Sequence, residues 1–508
     1  MKKGNSIKKF YSYSGFEIKE VYSKEDLPIT KKLNLEENSK IESWDFNQST
    51  SAGSPEKMNG ELLFLVEHGH TSLSIKVDKP TLLGIDSDDL DSNYQVGKKG
   101  VPIDTIDDME ILFKDIPIEN LSISFETDFT APILYTMFLA IAEKRKIPIE
   151  KLKGSIRNDI LGGLMSEGEL VLPLENSLKL LVDTVEFTTK NTPNFHAVKI
   201  HGTRELYPDI TASQEIAFSL SKAFSYINNC IDRGLKIDDF SDKIGFNFDT
   251  RSDFFEEIAK YRSARRIWNE TIINNFCAQE KTRKSIHFNA KCDAIDSVST
   301  QLEDNLVRIS YQVMASALGG ANTITCSPYD QNFCDFNKES LLLALRTQQI
   351  LMEETNLLCS EDLFSGSFFI ENLTSRITNE ITEILTMIDS RGGIIPCIKK
   401  GILQIRIKSG EKSISRTNKK IEESEEEHAF TTTSNQTEIE NKQIQKLIKI
   451  KKTRDSLKVA EALKKIENSA KTNKNIIPQI MHAIKLHATI GEIVTTLKNY
   501  MEKQTKQG

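Results

Sequence analysis

The chain has 508 residues, 38% apolar and 27% charged, and its 66 basic and 73 acidic side chains leave a formal charge of −7. That length suits two or three domains, or one large barrel with additions. The acidic balance excludes a general binder of nucleic acid or anionic membranes, no run of eighteen apolar residues is available to span a bilayer, and the basic N-terminus lacks the apolar segment of a secretory signal.

Residues 1–70 read as a polar N-terminal arm, with a loop over 47–57. From residue 71 the period switches back and forth. Short β-branched or aromatic runs at 72–78, 121–127, 154–159, 197–203, 244–250, 285–290, 321–327 and 366–371 read as strands. The stretches between them, most clearly 131–146 and 253–276, repeat apolar residues at three- and four-residue spacing and read as helices. Eight strands separated by helices fit an α/β fold of the (β/α)8 barrel type, the TIM barrel, over 71–405. An open doubly wound sheet is the alternative, without its usual nucleotide motifs: neither GxGxxG nor GxxxxGK[ST] occurs. Residues 406–450 are charged, rich in Ser and Thr, and too poor in large apolar side chains to offset ordering, so they read as a polar linker. Its run Glu425-Glu426-Glu427 reads as a solvated acidic face. Residues 451–508 return to helical periodicity as two amphipathic helices, which need a partner surface on the barrel or on another subunit.

Polar residues gather where the strands end: Asp78, Glu126, Thr127, Asn158, Asp159, Thr203, Asp249, Asn289 and Ser327. In a barrel those ends share one face, where a site is built. Any one of them also serves as a cap for the next helix. The cluster Thr203, Arg204, Glu205, Tyr207 and Asp209 exceeds what capping requires. Seven scattered cysteines (230, 277, 292, 326, 334, 359, 397) without a CxxC pair suggest reduced thiols and a cytoplasmic location. The histidines at 68, 70, 196, 201, 287, 428, 482 and 487 make no HExxH or zinc-type spacing, and no GxSxG occurs. No self-contained hydrolytic or metal mechanism is visible, so any chemistry calls for a cofactor or a partner.

Several long stretches resemble the methylmalonyl-CoA mutase family. They are 77–125 (VDKPTLLGIDSDDLDSNYQVGKKGVPIDTIDDMEILFKDIPIENLSISF), KLKGSIRNDIL at 151–161, EIAKYRSARRIW at 257–268, MASALGGANTIT at 314–325, QILMEET at 349–355, DLFSGSFFIENLT at 362–374 and HATIGEIVTTLK at 487–498. The similarity runs in order over most of 15–410 and resumes at about 454–500. It implies a (β/α)8 barrel threaded by the pantetheine arm of an acyl-coenzyme A, and adenosylcobalamin chemistry that interconverts methylmalonyl-CoA and succinyl-CoA.

The pocket positions depart from the family pattern. Where catalytic members carry Gly-Tyr-His-Met-Gln-Glu-Ala-Gly, this chain has Gly202-Thr203-Arg204-Glu205-Leu206-Tyr207-Pro208-Asp209. Thr203 stands for the tyrosine beside the reacting radical, and Arg204 for the histidine that hydrogen-bonds the thioester carbonyl. Threonine lacks the aromatic volume, and arginine stays protonated. Glu167 matches the arginine that pairs with the substrate carboxylate, and like charges there repel. Arg157 and Lys291 replace two glutamines, and Gln331 replaces a glutamate; Asn322 completes the set of pocket positions. The Asp-x-His-x-x-Gly cobalt-binding motif is absent, and no cobalamin-binding domain is expected on this chain. The resemblance therefore implies the small, non-catalytic (β) subunit of a heterodimeric mutase, with adenosylcobalamin held by the large (α) subunit. The N-terminal arm and the two C-terminal helices are its expected interface. Alternatives are a catalytic barrel with an altered substrate and its cobalamin domain on a separate chain, and a vestigial acyl-CoA-binding barrel in which Lys291, Arg157 and Arg204 attract phosphate or carboxylate. A free-standing structural protein is the remaining alternative.

Overall fold

The computed structural model describes residues 10–27, 43–50, 53–202, 204, 207, 210–279, 286–293, 302–331, 337–360, 362–403, 433–472 and 474–505. Its centre is a ring of eight parallel staves. These are β1 (Asp45–Ser49), β2 (Ser72–Lys76), β3 (Ser122–Glu126), β4 (Lys153–Ile156), β5 in two pieces (Phe195–His196 and Val198–His201), β6 (Ile244–Thr250), β7 (His287–Cys292) and β8 (Thr323–Cys326). The first piece of β5 pairs with β4, the second with β6, and β8 pairs with β1, so the ladder runs round the ring. The α/β barrel expected from the sequence is present, and the doubly wound alternative is not.

Two strand assignments change. The run at 366–371 is not a strand: Ser367 caps a helix, Phe368–Ser390, accepting from the Ile370 amide. The buried Ile370, Leu373, Ile377, Ile381, Ile384 and Ile388 follow a helical repeat that a six-residue apolar window does not reveal. The missing stave is β1, inside the segment expected to be an arm. Its sequence DFNQS has one large apolar residue, Phe46, because the alternate side chains face a polar interior.

Apolar residues of the staves point outward into the helix layer. Phe125 meets Phe113 and Phe138, and Phe246 stands edge-on to Trp268. By the two-residue period of a strand, the intervening polar residues point inward. Helix Thr433–Thr453 occupies part of the expected linker; Glu425–Glu427 lie outside the described residues. The chain then forms three helices rather than two, Ser456–Ala470, Ile477–Lys485 and Ile490–Thr505, with a break where His487 takes φ +61°. Their buried Val459, Ile466, Ile480, Ile484, Ile493 and Leu497 share one core with helix Ala131–Lys144. These apolar faces are satisfied within the chain, which removes the reason for assigning them to a subunit interface. Among the described residues no helix is long and apolar enough to cross a membrane.

Candidate functional site in and around the barrel lumen

Most TIM barrels fill their interior with branched apolar side chains. This one fills it with hydroxyls, amides and cations. Asn47 Nδ2 donates to Ser74 Oγ at 2.9 Å and Thr325 Oγ1 at 2.6 Å, and Ser72 Oγ donates back to Asn47 Oδ1 at 3.0 Å. Thr325 Oγ1 reaches Asn289 Oδ1 at 3.4 Å, and Ser124 and Ser155 share a hydrogen bond of 2.8 Å. His201 lies within 3.3 Å of Asn247 Nδ2. This mid-barrel layer is nearly inaccessible: Asn47 is 1% exposed, Asn289 3% and Thr325 4%. Each of these hydrogen bonds joins neighbouring staves, and little of the layer is open to solvent.

At the C-terminal rim, Arg204 turns into the helix layer and away from the mouth. Its Nε lies 3.0 Å from Glu215 and its Nη1 2.8 Å from Glu257, and Nη1 also donates to the Asp249 carbonyl at 3.2 Å. Lys260 closes the cluster, pairing with Glu215 at 3.3 Å and with Glu257, and donating to the Asp249 carbonyl at 2.6 Å. Two cations and two carboxylates cancel where solvent does not reach, with Arg204 1% exposed. Burial opposes ionisation of both Arg204 and Glu257, and the opposite charges win. Arg204 is held protonated more firmly than a free guanidinium by Glu215 and Glu257, while Lys260 and Arg204 hold the Glu257 carboxyl down at about 2. The helices bring these groups together: Thr211 caps helix Ala212–Asp232, which carries Glu215, and Asp253 caps Phe254–Asn274, which carries Glu257 and Lys260.

The other expected site residues are dispersed. Arg157, at the end of β4, makes a two-pronged bond to Asp128, both contacts at 2.8 Å. Lys291 pairs with Asp293 at 3.0 Å. The cations expected to attract a ligand anion are thus held by the chain's own carboxylates. Asn322 lies apart from the rim residues: it precedes β8 at the N-terminal end of the barrel, where its side chain accepts from the Phe288 amide at 2.9 Å. Gln331 is exposed, in a turn closed onto Pro328. Glu167 ends helix Ile160–Glu167, and its side chain, like Thr203, lies outside the described residues.

Sequence reasoning missed the lumen groups Lys199, His201, His287 and Asn247, although the signal was there. Lys199-x-His201 and His287-x-Asn289-x-Lys291 put polar side chains on one face of otherwise apolar staves. Asp159, one of the polar residues expected at the strand ends, accepts from Lys222 Nζ at 2.6 Å and Tyr226 Oη at 2.7 Å and so ties β4 to helix Ala212–Asp232. His201 is kept neutral, far below the usual histidine range, first by burial and then by Arg157, Lys199 and Lys291.

The donor set does not fit a cobalt-binding centre. Among the described residues no three His, Cys, Asp or Glu side chains converge as metal ligands. The histidine at the C-terminal end of a stave, His201, faces Asn247 and a ring of cations. No step through cobalamin is assigned to these residues.

The methylmalonyl-CoA mutase family model matches residues 11–503. The chain is 32% identical over 471 residues to the 2-hydroxyisobutanoyl-CoA mutase large subunit of Aquincola tertiaricarbonis, covering 90% of this chain and 83% of that protein. It is 29% identical over 468 residues to the methylmalonyl-CoA mutase of Escherichia coli and 30% over 469 residues to the human mitochondrial one. It spans only 65% and 62% of the lengths of those two enzymes. With the ring of eight staves and a match along nearly its whole length, this chain belongs to the methylmalonyl-CoA mutase family, whose chemistry depends on cobalamin.

Proposed function

We propose that this chain is the non-catalytic small subunit of a heterodimeric, adenosylcobalamin-dependent acyl-CoA mutase. It supports a large subunit that holds the cofactor and interconverts methylmalonyl-CoA and succinyl-CoA. The observation that carries this reading is the buried, hydrogen-bonded mid-barrel layer of Asn47, Ser74, Asn289 and Thr325, which leaves little solvent-open surface along the axis. A family reaction that threads a thioester along the barrel axis needs that path open. The burial of Arg204 among Glu215, Glu257 and Lys260 supports it further, because a guanidinium without exposed surface offers a thioester carbonyl nothing. Binding to the folded state of a partner stabilises that partner by mass action, which is the role assigned here.

A second reading is favoured by one finding, the coverage of 83% of a relative named as a large subunit. On that reading the barrel is catalytic, with an altered substrate and its cobalamin module on a separate chain. One experiment separates the two. The purified chain is mixed with a methylmalonyl-CoA mutase large subunit, or with a separate cobalamin-binding chain, each with adenosylcobalamin, and followed by light scattering and acyl-CoA turnover. A one-to-one complex with the large subunit, and no turnover without it, is expected. Turnover with the cobalamin-binding chain alone would establish the catalytic reading instead.

A further inference from the structure

Five aromatic rings touch one another at the surface beside the C-terminal rim, where β6 leads into helix Phe254–Asn274. Tyr22 meets Phe369 at 5.1 Å between centroids, and Phe369 meets Phe255 at 5.3 Å. Phe255 in turn meets Phe254 at 5.2 Å and Phe364 at 6.4 Å. None of the five is buried. Phe255 is 41% exposed, and the sequence neighbours of the other rings, Val21, Leu363 and Phe368, are 76%, 46% and 40% exposed. Two capped helices hold most of these side chains. Asp253 caps Phe254–Asn274, accepting from the Glu256 amide, and Ser367 caps Phe368–Ser390. Beneath the patch the two helices are tied together by Ser263 Oγ, which donates to the Thr374 carbonyl at 3.0 Å, and by Arg262 and Glu371. Residues 10–27 lay Tyr22 against them and are fixed in turn: the Tyr13 amide donates to Asp253 at 2.8 Å, and Asn372 Nδ2 to the Asp26 carbonyl at 2.6 Å.

We infer that this aromatic patch is the surface on which the partner subunit docks, an inference that rests on the subunit role proposed above. A single exposed apolar residue is ordinary, but rings in mutual contact make a contiguous patch, and such patches mark interaction sites. The four most exposed side chains alone leave roughly 350 Å² of apolar surface, on a scale where a whole aromatic side chain offers about 200 Å². A standard interface takes about 800 Å² from each partner, a little over half of it apolar. The patch, with its half-buried rings added, supplies most of that apolar share. Charged groups at its edge are taken up within the chain: Arg262 is held by Asp362 and Glu371, and Ser14 Oγ donates to Glu256 at 2.6 Å. An aromatic centre inside a polar rim is the anatomy of a protein interface. Because most of the rings stand on capped helices, little ordering cost remains to be met on binding. The partner surface that fits is apolar at its centre. A second copy of this chain is a poorer occupant, since two molecules that each carry −7 repel. The C-terminal helices offer no competing surface, because their apolar faces are packed within the chain.

The test titrates the full chain calorimetrically with the methylmalonyl-CoA mutase large subunit used above, and follows the chain alone by light scattering. Phe255→Ala and Phe368→Ala are each expected to weaken the complex about ten-fold or more, as the loss of an interface aromatic does. Both rings already face water, so the urea midpoint of the chain alone is expected to hold. Val21→Ser, at a position 76% exposed, cannot disturb the fold through lost burial and is expected to weaken the complex as well. Leu90→Ala removes a side chain that is 82% exposed outside the patch and is expected to change nothing. A complex that forms with the parent chain and is unchanged in all three patch variants, or is weakened equally by Leu90→Ala, overturns the docking surface and leaves the subunit role standing. No complex with the parent chain overturns the subunit role and the docking surface together, so the two failures are told apart. A parent chain that is dimeric alone and monomeric as Phe255→Ala gives the patch to a second copy, which also overturns the assignment.

Discussion

The two ends of the barrel treat charge in opposite ways. At the C-terminal rim Arg204, Arg157, Lys260 and Lys291 each have a carboxylate within 3.3 Å. At the N-terminal end Lys199 faces a cavity with none within 4 Å among the described residues. The rim is where a TIM barrel ordinarily places its chemistry, and here its ionic groups have become mutual ties between staves and helices. The far end, ordinarily the structural end, keeps a charge in reserve. A charge already paired contributes to the fold and has little left to offer a ligand. An unpaired one costs stability.

That contrast gives the variants opposite signs. Arg204→Met is expected to lose about 3–5 kcal/mol in urea unfolding, because Glu215 and Glu257 stay buried with only Lys260 to balance them. A loss under about 1 kcal/mol would mean that the cluster is not a tie, and the contrast between the ends would fail.

Lys199 is expected to behave in reverse. Burial pulls its ammonium down to about 8 from the usual 10.5, against the opposing pull of Glu126 and Asp45. Between those values the unfolded chain holds a proton that the folded chain has released, so stability rises with pH across that window. The rise amounts to roughly 3 kcal/mol. Lys199→Met should abolish this rise and leave the protein more stable than the parent at neutral pH. A flat stability profile from pH 8 to 10.5 in the parent chain would show Lys199 to be better solvated than its burial implies.

How much of this the sequence reveals depends on what each residue faces. The staves from β2 to β8 are legible because their outward residues are apolar and β-prone, as in Ile123 and Phe125 or Phe246 and Phe248. β1 is illegible for a physical reason: a stave lining a polar lumen has lost half its apolar signal, and Asp45-Phe46-Asn47-Gln48-Ser49 looks like a loop. The run at 366–371 misleads in the other direction, since aromatic and branched residues opening a helix resemble a strand. In the site, the chemical change at Arg204 is visible in the sequence, but its direction is not. Glu215 and Glu257, which turn it away from the mouth, lie on two separate helices, and nothing local joins them. Lys199 is the converse, plain as an alternating polar residue and yet meaningless until the cavity around it is known.

The smallest effect is expected at Arg157, and it sharpens the comparison within the rim itself. Its pair with Asp128 has the same two-pronged geometry that makes arginine–carboxylate bonds strong, but both side chains keep about a quarter of their surface in solvent, at 27% and 22%. Water screens the attraction and solvates whichever partner is left behind. Arg157→Met should therefore cost only about 1 kcal/mol, well below Arg204→Met, although both remove an arginine from a carboxylate beside the same lumen. The loss at Arg157 should shrink further in high salt, while the loss at Arg204 should not, because buried pairs are shielded from mobile ions. Equal losses in the two variants, with equal salt dependence, would mean that burial is not what divides the rim into anchored and accessible charges. The freed Asp128 would then be as badly stranded as Glu257, and the closure of the rim would rest on ion pairing throughout.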